Sequence, residues 1–441
     1  MSRDFTLYWI GQTTSRFGGS ITTVALPLAA ITVLQASTFQ VTVLAAAVWL
    51  PWLLAGLPAG VLVDRSRSRR HIMIGCDVVA AVLFVSVPVA AWLGVLTFAH
   101  LLAVALLTGL VSVFFETAGQ VYLAELLPAA QLSTGNARLI GADSAAKVAG
   151  PGVGGLIAQL FGAVTGLLAD AVTFVVSAAC MIAVRHREPG TPPDGHRETT
   201  GTHEIRAPHD DRGTTSSRRT TVTTAPGGTA AIAEGMRFVV RDPFLRVLTV
   251  FGAACNLALN GYSAILVLFL VRENGADPGV VGLLMAGISA GGIAGAALSG
   301  PLARRIGTAR AMLACHLCTA PFALLVPLAT AGAGLVLVVA GGVVVTAGIV
   351  ADNVIKGAFR QTYVPRHLLG RVTNSMQMLN YGAIPIGALL GGTLGTALGL
   401  RPTMWIMAAM IVAANALLLI GPIKHLRDLP SAPAKHELTL A

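Results

Sequence analysis

The sequence predicts an all-α membrane protein: twelve transmembrane helices in two pseudo-symmetric six-helix bundles. Three observations carry this expectation. First, 54% of the 441 residues are hydrophobic and 11% are charged, against roughly 25% charged in an average soluble domain. A soluble chain of this size has too much surface to hide so many apolar side chains. Second, the apolar residues gather into twelve runs, each near the ~20 residues that a bilayer-spanning helix needs. Third, the second half repeats landmarks of the first at an almost constant shift.

The runs can be taken in order. The first, 7–33, follows directly on "MSRDFTLYWIGQ". It is too long for a signal-peptide core and reads as a retained span. Runs at 40–63, 72–94, 98–122, 137–162 and 164–184 complete an N-terminal bundle over 1–184. Residues 185–230 then change to Pro, Thr, Gly and charge, the composition of a disordered cytoplasmic linker. Its His186, His196, His203 and His209 show no fixed ligand spacing. "AIAEGMRFVVRDPFLR" (231–246) has the pattern of an amphipathic surface helix. Arg237, Arg241 and Arg246 would lie along the headgroups while Met236, Phe238 and Val239 dip inward. Runs at 244–271, 279–303, 310–331, 333–359, 372–399 and 402–423 make the C-terminal bundle. With the surface helix it occupies 231–424, ahead of a cytoplasmic tail at 425–441. Turns are short and marked by Gly or Pro, as in "GADPG" (275–279).

The net charge of +10 does not indicate nucleic acid, because of where the charges fall. Nearly all Lys and Arg lie in loops on one side, and only Arg272 and Arg401 fall in loops on the other. This is the positive-inside bias, with basic loops against the anionic cytoplasmic leaflet, and it places both termini in the cytoplasm. Abundant Ala and Gly, with Arg over Lys, go with GC-rich bacterial genomes, so the bacterial cytoplasmic membrane is the expected location. Cys76, Cys180, Cys255, Cys315 and Cys318 all sit in apolar runs. "CHLC" (315–318) supplies two thiols where a structural zinc needs four ligands, so no metal is expected. There is no P-loop and no clustered triad; neither an enzyme nor an ATP-driven device is expected.

The repeat is specific. Pro128 matches Pro365 and Leu132 matches Leu369 at a shift of 237. At that shift Gly150, Gly154, Ala158 and Gly162 match Gly387, Gly391, Gly395 and Gly399. Small residues at every fourth position share one helix face and let backbones approach. A third stripe is Gly287, Gly291, Gly295 and Ser299. Earlier in each half the shift is 240, pairing Gly60, Arg65 and Arg70 with Gly300, Arg305 and Arg310. Two six-helix halves in parallel repeat form a transporter plan with the pathway between them.

The turn "GVLVDRSRSRRH" (60–71) has a topological task, since moving an arginine through hydrocarbon costs several kcal/mol. Asp64 at the end of the second span can hold a helix N-terminus or an arginine of the facing half, a contact that breaks when the halves rock. Gly60, Leu62, Asp64, Arg65, Arg69 and Arg70 resemble the loop signature of the major facilitator superfamily, GxLaDrxGrkxxl, with Arg67 where that pattern has glycine. "GPLARRIGTAR" (300–310) resembles a second copy with Arg304 in place of the acid. "AGPGVGG" (149–155), with Gly150, Pro151, Gly154 and Gly155, resembles the fifth-helix motif of the superfamily's antiporters, with Ala137 and Ala146 where that motif has glycines. "YWIGQTTSRFG" (8–18), "ALPLAA" (25–30), "EGMRFVVRDPFLR" (234–246) and "RQTYVPRHLLGRV" (360–372) resemble the drug and siderophore exporters related to enterobactin and macrolide efflux proteins. The resemblance implies the major facilitator fold and export of a small molecule. It is silent on cargo.

Charges inside a membrane are expensive and are functional candidates by default. The reading singles out Arg16, Glu116, Asp143, Lys147, Asp170, Asp352 and Lys356. Arg16, Glu116, Asp143 and Asp352 fall roughly 10–15 Å from the cytoplasmic ends of their helices. Glu116 shifted by 237 is Asn353, the neighbour of Asp352, so one polar level is expected in both halves. Asp143–Lys147 and Asp352–Lys356 are i,i+4 pairs that are either silent ion pairs or working groups, and Arg16 can neutralise Glu116. Proton coupling is the functional expectation: burial favours the protonated form of a carboxylate, and an alternating environment would load and release the proton. Glu116 ranks first, then Asp170 and Asp352, with Asp143 a further candidate and Arg16, Lys147 and Lys356 as charge partners. Gln120, Asn256, Asn260, Tyr262 and Gln377 either line a cavity or bond between helices. Trp49, Trp52, Phe114 and Phe115 are available to stack on cargo. The expected protein is therefore a monomeric proton-coupled exporter of a hydrophobic or amphipathic small molecule, with the proton gradient as its energy source and no cofactor. An uptake permease or lipid flippase of the same fold, and a non-transporting membrane sensor, remain alternatives.

Overall fold

A computed structural model describes residues 2–66, 68–185, 228–365 and 368–430. Arg67, most of the expected linker (186–227), Arg366, His367 and the tail from 431 lie outside the described residues, as does the side chain of Asp64. The helices of the first half are α1 (Arg3–Thr32), α2 (Thr38–Arg65), α3 (Arg69–Trp92), α4 (Phe98–Leu126), α5 (Ala129–Phe161) and α6 (Ala163–Ala183). Those of the second are α7 (Gly228–Arg241), α8 (Pro243–Leu268), α9 (Pro278–Ile306), α10 (Thr308–Leu317), α11 (Val336–Tyr363), α12 (Leu369–Leu398) and α13 (Leu400–Ala416).

Local chemistry sets many of the boundaries. Ser37 and Gln40 form a reciprocal capping box at the start of α2, and Thr97 caps α4 through the His100 amide at 3.2 Å. Gly162 (φ +92°) and Gly399 (φ +90°) turn α5 into α6 and α12 into α13. They occupy equivalent places in the repeat, and a left-handed backbone there favours glycine. A π-helical turn, Phe269–Glu273, extends α8. The expected run at 310–331 is divided: α10 ends at Leu317 and a 3₁₀ segment, Ala320–Leu328, continues the span. Pro321 and Pro327 remove backbone donors there.

The expected surface helix at 231–246 is corrected at its end. Asp242 accepts from the Leu245 amide at 2.8 Å and Pro243 opens a new helix, so α7 stops at Arg241 and Arg246 belongs to α8. Phe238 and Val239 are buried with Leu245, Leu248 and Phe251, so the apolar face of α7 packs on protein.

Among the described residues ten helical segments are long and apolar enough to cross a bilayer. The other two rods are α1, of 30 residues, and α5, of 33. They are less apolar because they carry Arg16, and Arg138, Asp143 and Lys147. Large apolar side chains such as Val82, Leu156 and Leu283 point outward, exposed by 65%, 53% and 70%, as a lipid-facing belt requires.

Packing follows the repeat. In the first half α1 lies against α5 and α6, and α2 against α4; in the second α8 lies against α12 and α13, and α9 against α11. The halves meet through α5 with α9 and through α12 with α2, again an equivalent pair. The small-residue stripes mostly serve the interior of each half. Gly150 and Gly154 face Ser20 and Ile21 of α1; Gly387 faces Leu257 of α8; Gly291 faces Val343 of α11. A neighbouring face carries the seam between halves: a Cβ on Gly155 would sit 2.5 Å from the Gly282 Cα, and one on Gly282 would sit 2.5 Å from the Pro151 carbonyl oxygen.

The seam lies toward the end opposite the termini, called here the far end. There Arg272 of the second half donates to the Ala36 carbonyl at 2.5 Å and approaches Thr38 Oγ1 at 3.4 Å, both in the first half. Gly392 and Gly395 pack over Thr42 and Thr38.

Gly282→Leu should part α5 from α9 and lower the thermal unfolding midpoint in detergent, an overpacking penalty of about 1–3 kcal/mol. Gly56→Leu is the control, because a Cβ there meets nothing within 4 Å. Equal midpoints for the two variants would remove the close approach from the account.

Candidate functional site

Between the halves lies a cavity of about 450 Å³, walled by α1, α2, α3, α4 and α6 and by α8 and α12. Its lining is mainly apolar, with Leu26, Leu44, Phe84, Val104, Phe174 and Val267 among it. Arg16, Asp77, Glu116, Asp170 and Asn260 interrupt that lining. A second cavity of about 370 Å³ lies inside the second half, lined by Asn256, His316, Asp352, Lys356, Gln377 and Asn380 among others. A third, of about 460 Å³, lies between α1, α4 and α5 and contains Tyr8, Gln12, Gln120 and Asn136.

The expected charges collect into two clusters. Arg16 stands between Glu116 and Asp143, 3.2 Å from each, and Lys147 Nζ is 2.7 Å from Asp143. Glu116 has no basic neighbour on its own helix, and α1 supplies one. In the second half Lys356 Nζ lies 2.5 Å from Asp352 Oδ2 and His316 Nε2 lies 2.8 Å from the same oxygen. The Phe251 ring meets His316 edge-on at 4.7 Å and Lys356 at 5.2 Å. Glu116 and Asp352 come ten and eleven residues before the ends of their helices, about 15 Å in each case.

Asp170 is different. It is 1% exposed, and Thr22 and Thr173 donate to it at 2.5 and 3.0 Å. Among the described residues no cation lies within ion-pairing distance of it.

Two groups escaped the sequence reading. Asp77 is 1% exposed, lines the central cavity, and has no hydrogen bond of good geometry on either oxygen among the described residues, with the Ser177 hydroxyl beside it. It lies inside the expected run at 72–94 but is not counted among the charges of the spans. With α3 beginning at Arg69, Asp77 is about 12 Å along the helix. His316 was hidden inside "CHLC"; its signal was a lone imidazole in an apolar run.

The polar candidates divide. Asn260 reaches the central cavity, Asn256 and Gln377 the second, and Gln120 the third. Tyr262 takes the other alternative, a contact between helices. Two residues from Asn260, it points to the opposite face of α8, is 8% exposed, and its hydroxyl approaches the Ala323 carbonyl at 3.5 Å.

In the arginine turn, Arg70 donates to the carbonyls of Met181 and Ile182 at 2.8 and 2.7 Å, capping the C-terminal end of α6. Arg69 pairs with Glu125 at 3.5 Å. These partners lie in the same half. Gly60 has open space around its Cα and Arg65 is exposed.

Comparison with known proteins agrees with this architecture. The sequence profile of the Major Facilitator Superfamily matches residues 8–266 and 248–439. The multidrug efflux pump Tap of Mycolicibacterium fortuitum is 29% identical over 433 residues, covering 95% of this chain and 96% of that protein. Tap of Mycobacterium tuberculosis (strain ATCC 25618 / H37Rv) is 29% identical over 411 residues, covering 90% and 88%. Among solved structures, the nucleoside transporter NupG superposes with a TM-score of 0.72 at 11% identity, covering 95% of this chain and 99% of that one. A bacterial homologue of the iron transporter ferroportin in an inward-facing state gives 0.70 at 16% identity, covering 95% and 99%. With its matched halves, central cavity and family profile spanning nearly the whole sequence, the chain is a multi-pass membrane protein belonging to the major facilitator superfamily of transporters.

Proposed function

We propose that this protein is a proton-coupled exporter of hydrophobic or amphipathic small molecules, working as a monomer by alternating access across the bacterial cytoplasmic membrane. The observation that carries the reading is an apolar cavity between two matched bundles with an acid in its wall, Asp170, that no side-chain cation among the described residues neutralises. Export is supported by the 29% identity to multidrug efflux pumps over nearly the full length.

The arginine turns put the terminal end in the cytoplasm. The far end, closed by Arg272 and by the seam at Gly155 and Gly282, then faces outward, and the central cavity is available from within. Rocking of the halves about the cavity would open that seam and carry the cargo across.

Asp170 is the proton carrier in this scheme. The charge on Glu116 is met by Arg16, that on Asp143 by Arg16 and Lys147, and that on Asp352 by Lys356. Among the described residues Asp170 is held by hydroxyl donors alone, one of them Thr22 on the neighbouring α1. A shift of α1 against α6 changes the donors it sees, and a proton takes their place. Protonation and release on opposite sides couple the gradient to export.

Expressed in a pump-deficient bacterium, the protein should lower accumulation of some compounds in a screened panel, and an uncoupler should reverse this. Accumulation that rises on expression and falls with the uncoupler would mark uptake instead. Asp170→Asn should abolish drug-gradient formation in vesicles, while Glu116→Gln, which leaves Arg16 with Asp143, should retain a measurable fraction. The reverse order would return the coupling role to Glu116. Arg272→Ala should raise the labelling rate of a cysteine placed at Thr42 by an impermeant reagent added from outside, by about tenfold if the latch contributes about 1.4 kcal/mol to closure. An unchanged rate would dismiss the latch.

A further inference from the structure

Asp77 has no part in the coupling scheme, although among the described residues no cation neutralises its buried carboxylate either. Neither of its oxygens has a hydrogen bond of good geometry among the described residues, and the hydroxyl of Ser177 is the donor beside it. A carboxylate withdrawn from water with a single loosely placed hydroxyl for company is a poor structural element, so its place in a cavity wall calls for a ligand.

The surroundings specify which ligand. Phe84 lies seven residues beyond Asp77 on α3 and Phe174 four beyond Asp170 on α6. The two rings stack with centroids 5.8 Å apart and planes 7° from parallel. Helix α3 runs toward the far end and α6 away from it, so the ring pair lies between the carboxylates. Asp77 is about 10 Å to the terminal side, measured along α3, and Asp170 about 6 Å to the far side, measured along α6. All four residues line the same cavity.

We propose that Asp77 and the Phe84–Phe174 pair bind the cargo cation: an organic monocation whose charge is shielded by aromatic or alkyl groups. This rests on the reading of the chain as a small-molecule transporter. An anionic cargo would meet Asp77, Asp170 and Glu116, while the charge of Arg16 is already shared by two carboxylates. A compact, strongly hydrated ammonium would lose its water against apolar walls, whereas a shielded onium ion has little water to lose. The aromatic faces add cation–π attraction, and the cavity of about 450 Å³ falls in the range of about 300–1,000 Å³ that takes drug-sized ligands. A cation entering from the terminal end reaches Asp77 before the rings and Asp170 after them. Cargo and proton therefore have separate stations on one path.

The test uses the purified full chain in nanodiscs with two probes of similar shape, tetraphenylphosphonium and neutral triphenylphosphine oxide. The wild type should prefer the cation by about tenfold or more. Asp77→Asn should erase that preference while oxide binding stays within about twofold, which also shows that the variant is folded, and Asp77→Glu should keep it. In a variant retaining Cys76 alone, a thiol in the same wall, the cation should slow maleimide labelling and the oxide should not. Wild-type affinity for the cation in Asp77→Asn, no preference in the wild type, or unprotected Cys76 would each overturn the site. If no compound is exported but binding still follows Asp77, the export reading fails and the site stands. Export of organic cations unaffected by Asp77→Asn does the opposite.

Discussion

A carboxylate removed from water needs a cation, a set of donors or a proton, and the organisation of this transporter follows from how its acids obtain them. Glu116 and Asp143 share Arg16. Asp352 is enclosed by Lys356 and His316. Asp170 accepts from two hydroxyls, and Asp77 has no cation and only the loosely placed Ser177 hydroxyl beside it among the described residues. The first three acids tie helices together within a half. The last two face the cavity with no matching charge among the described residues, and both belong to the first half.

That asymmetry sits on a symmetric frame. Equivalent helix pairs make equivalent contacts in the two halves, and the seam between halves uses equivalent partners, α5 with α9 and α12 with α2. Close approach of backbones at Gly155 and Gly282 gives the seam little side-chain interdigitation to undo. The latch is added at the rim, where Arg272 binds the Ala36 carbonyl of the other half. Arg401, the other basic residue of the far side, donates to the carbonyls of Pro327 and Ala329 and so ties up the end of the 3₁₀ segment in its own half. The two arginines that depart from the charge bias therefore both hold backbone carbonyls at the far end.

Much of this was legible in the sequence because it depends on local rules. Apolar run length marked the spans, and the 237-residue shift found the repeat, down to the paired turn glycines 162 and 399. The clusters were half legible. Spacing of four residues showed Asp143–Lys147 and Asp352–Lys356, and shared depth suggested Arg16 with Glu116, but no such rule adds Asp143 to Arg16 or places His316 beside Asp352. Such contacts depend on helix rotation. Asp77 already lay within the expected run at 72–94, but its burial in the cavity wall depends on helix rotation and on the start of α3 at Arg69, capped by Ser68 through the His71 amide, which sets it one turn deeper.

The placement of the unmatched acids has a mechanistic consequence. If cargo cation and proton competed for one carboxylate, exchange would need only that each exclude the other. Here the two acids stand on either side of the Phe84–Phe174 stack, on helices that run in opposite directions and pack together. Charge at one station raises or lowers the cost of charge at the other across a wall of low polarity, where screening is weak. In the proposed scheme a cation at Asp77 cancels the negative charge that would oppose a second one at Asp170, and so favours loss of the proton from Asp170, the sense that antiport requires. The second half, its acid already neutralised by its own lysine, can then act as the wall against which the first half moves.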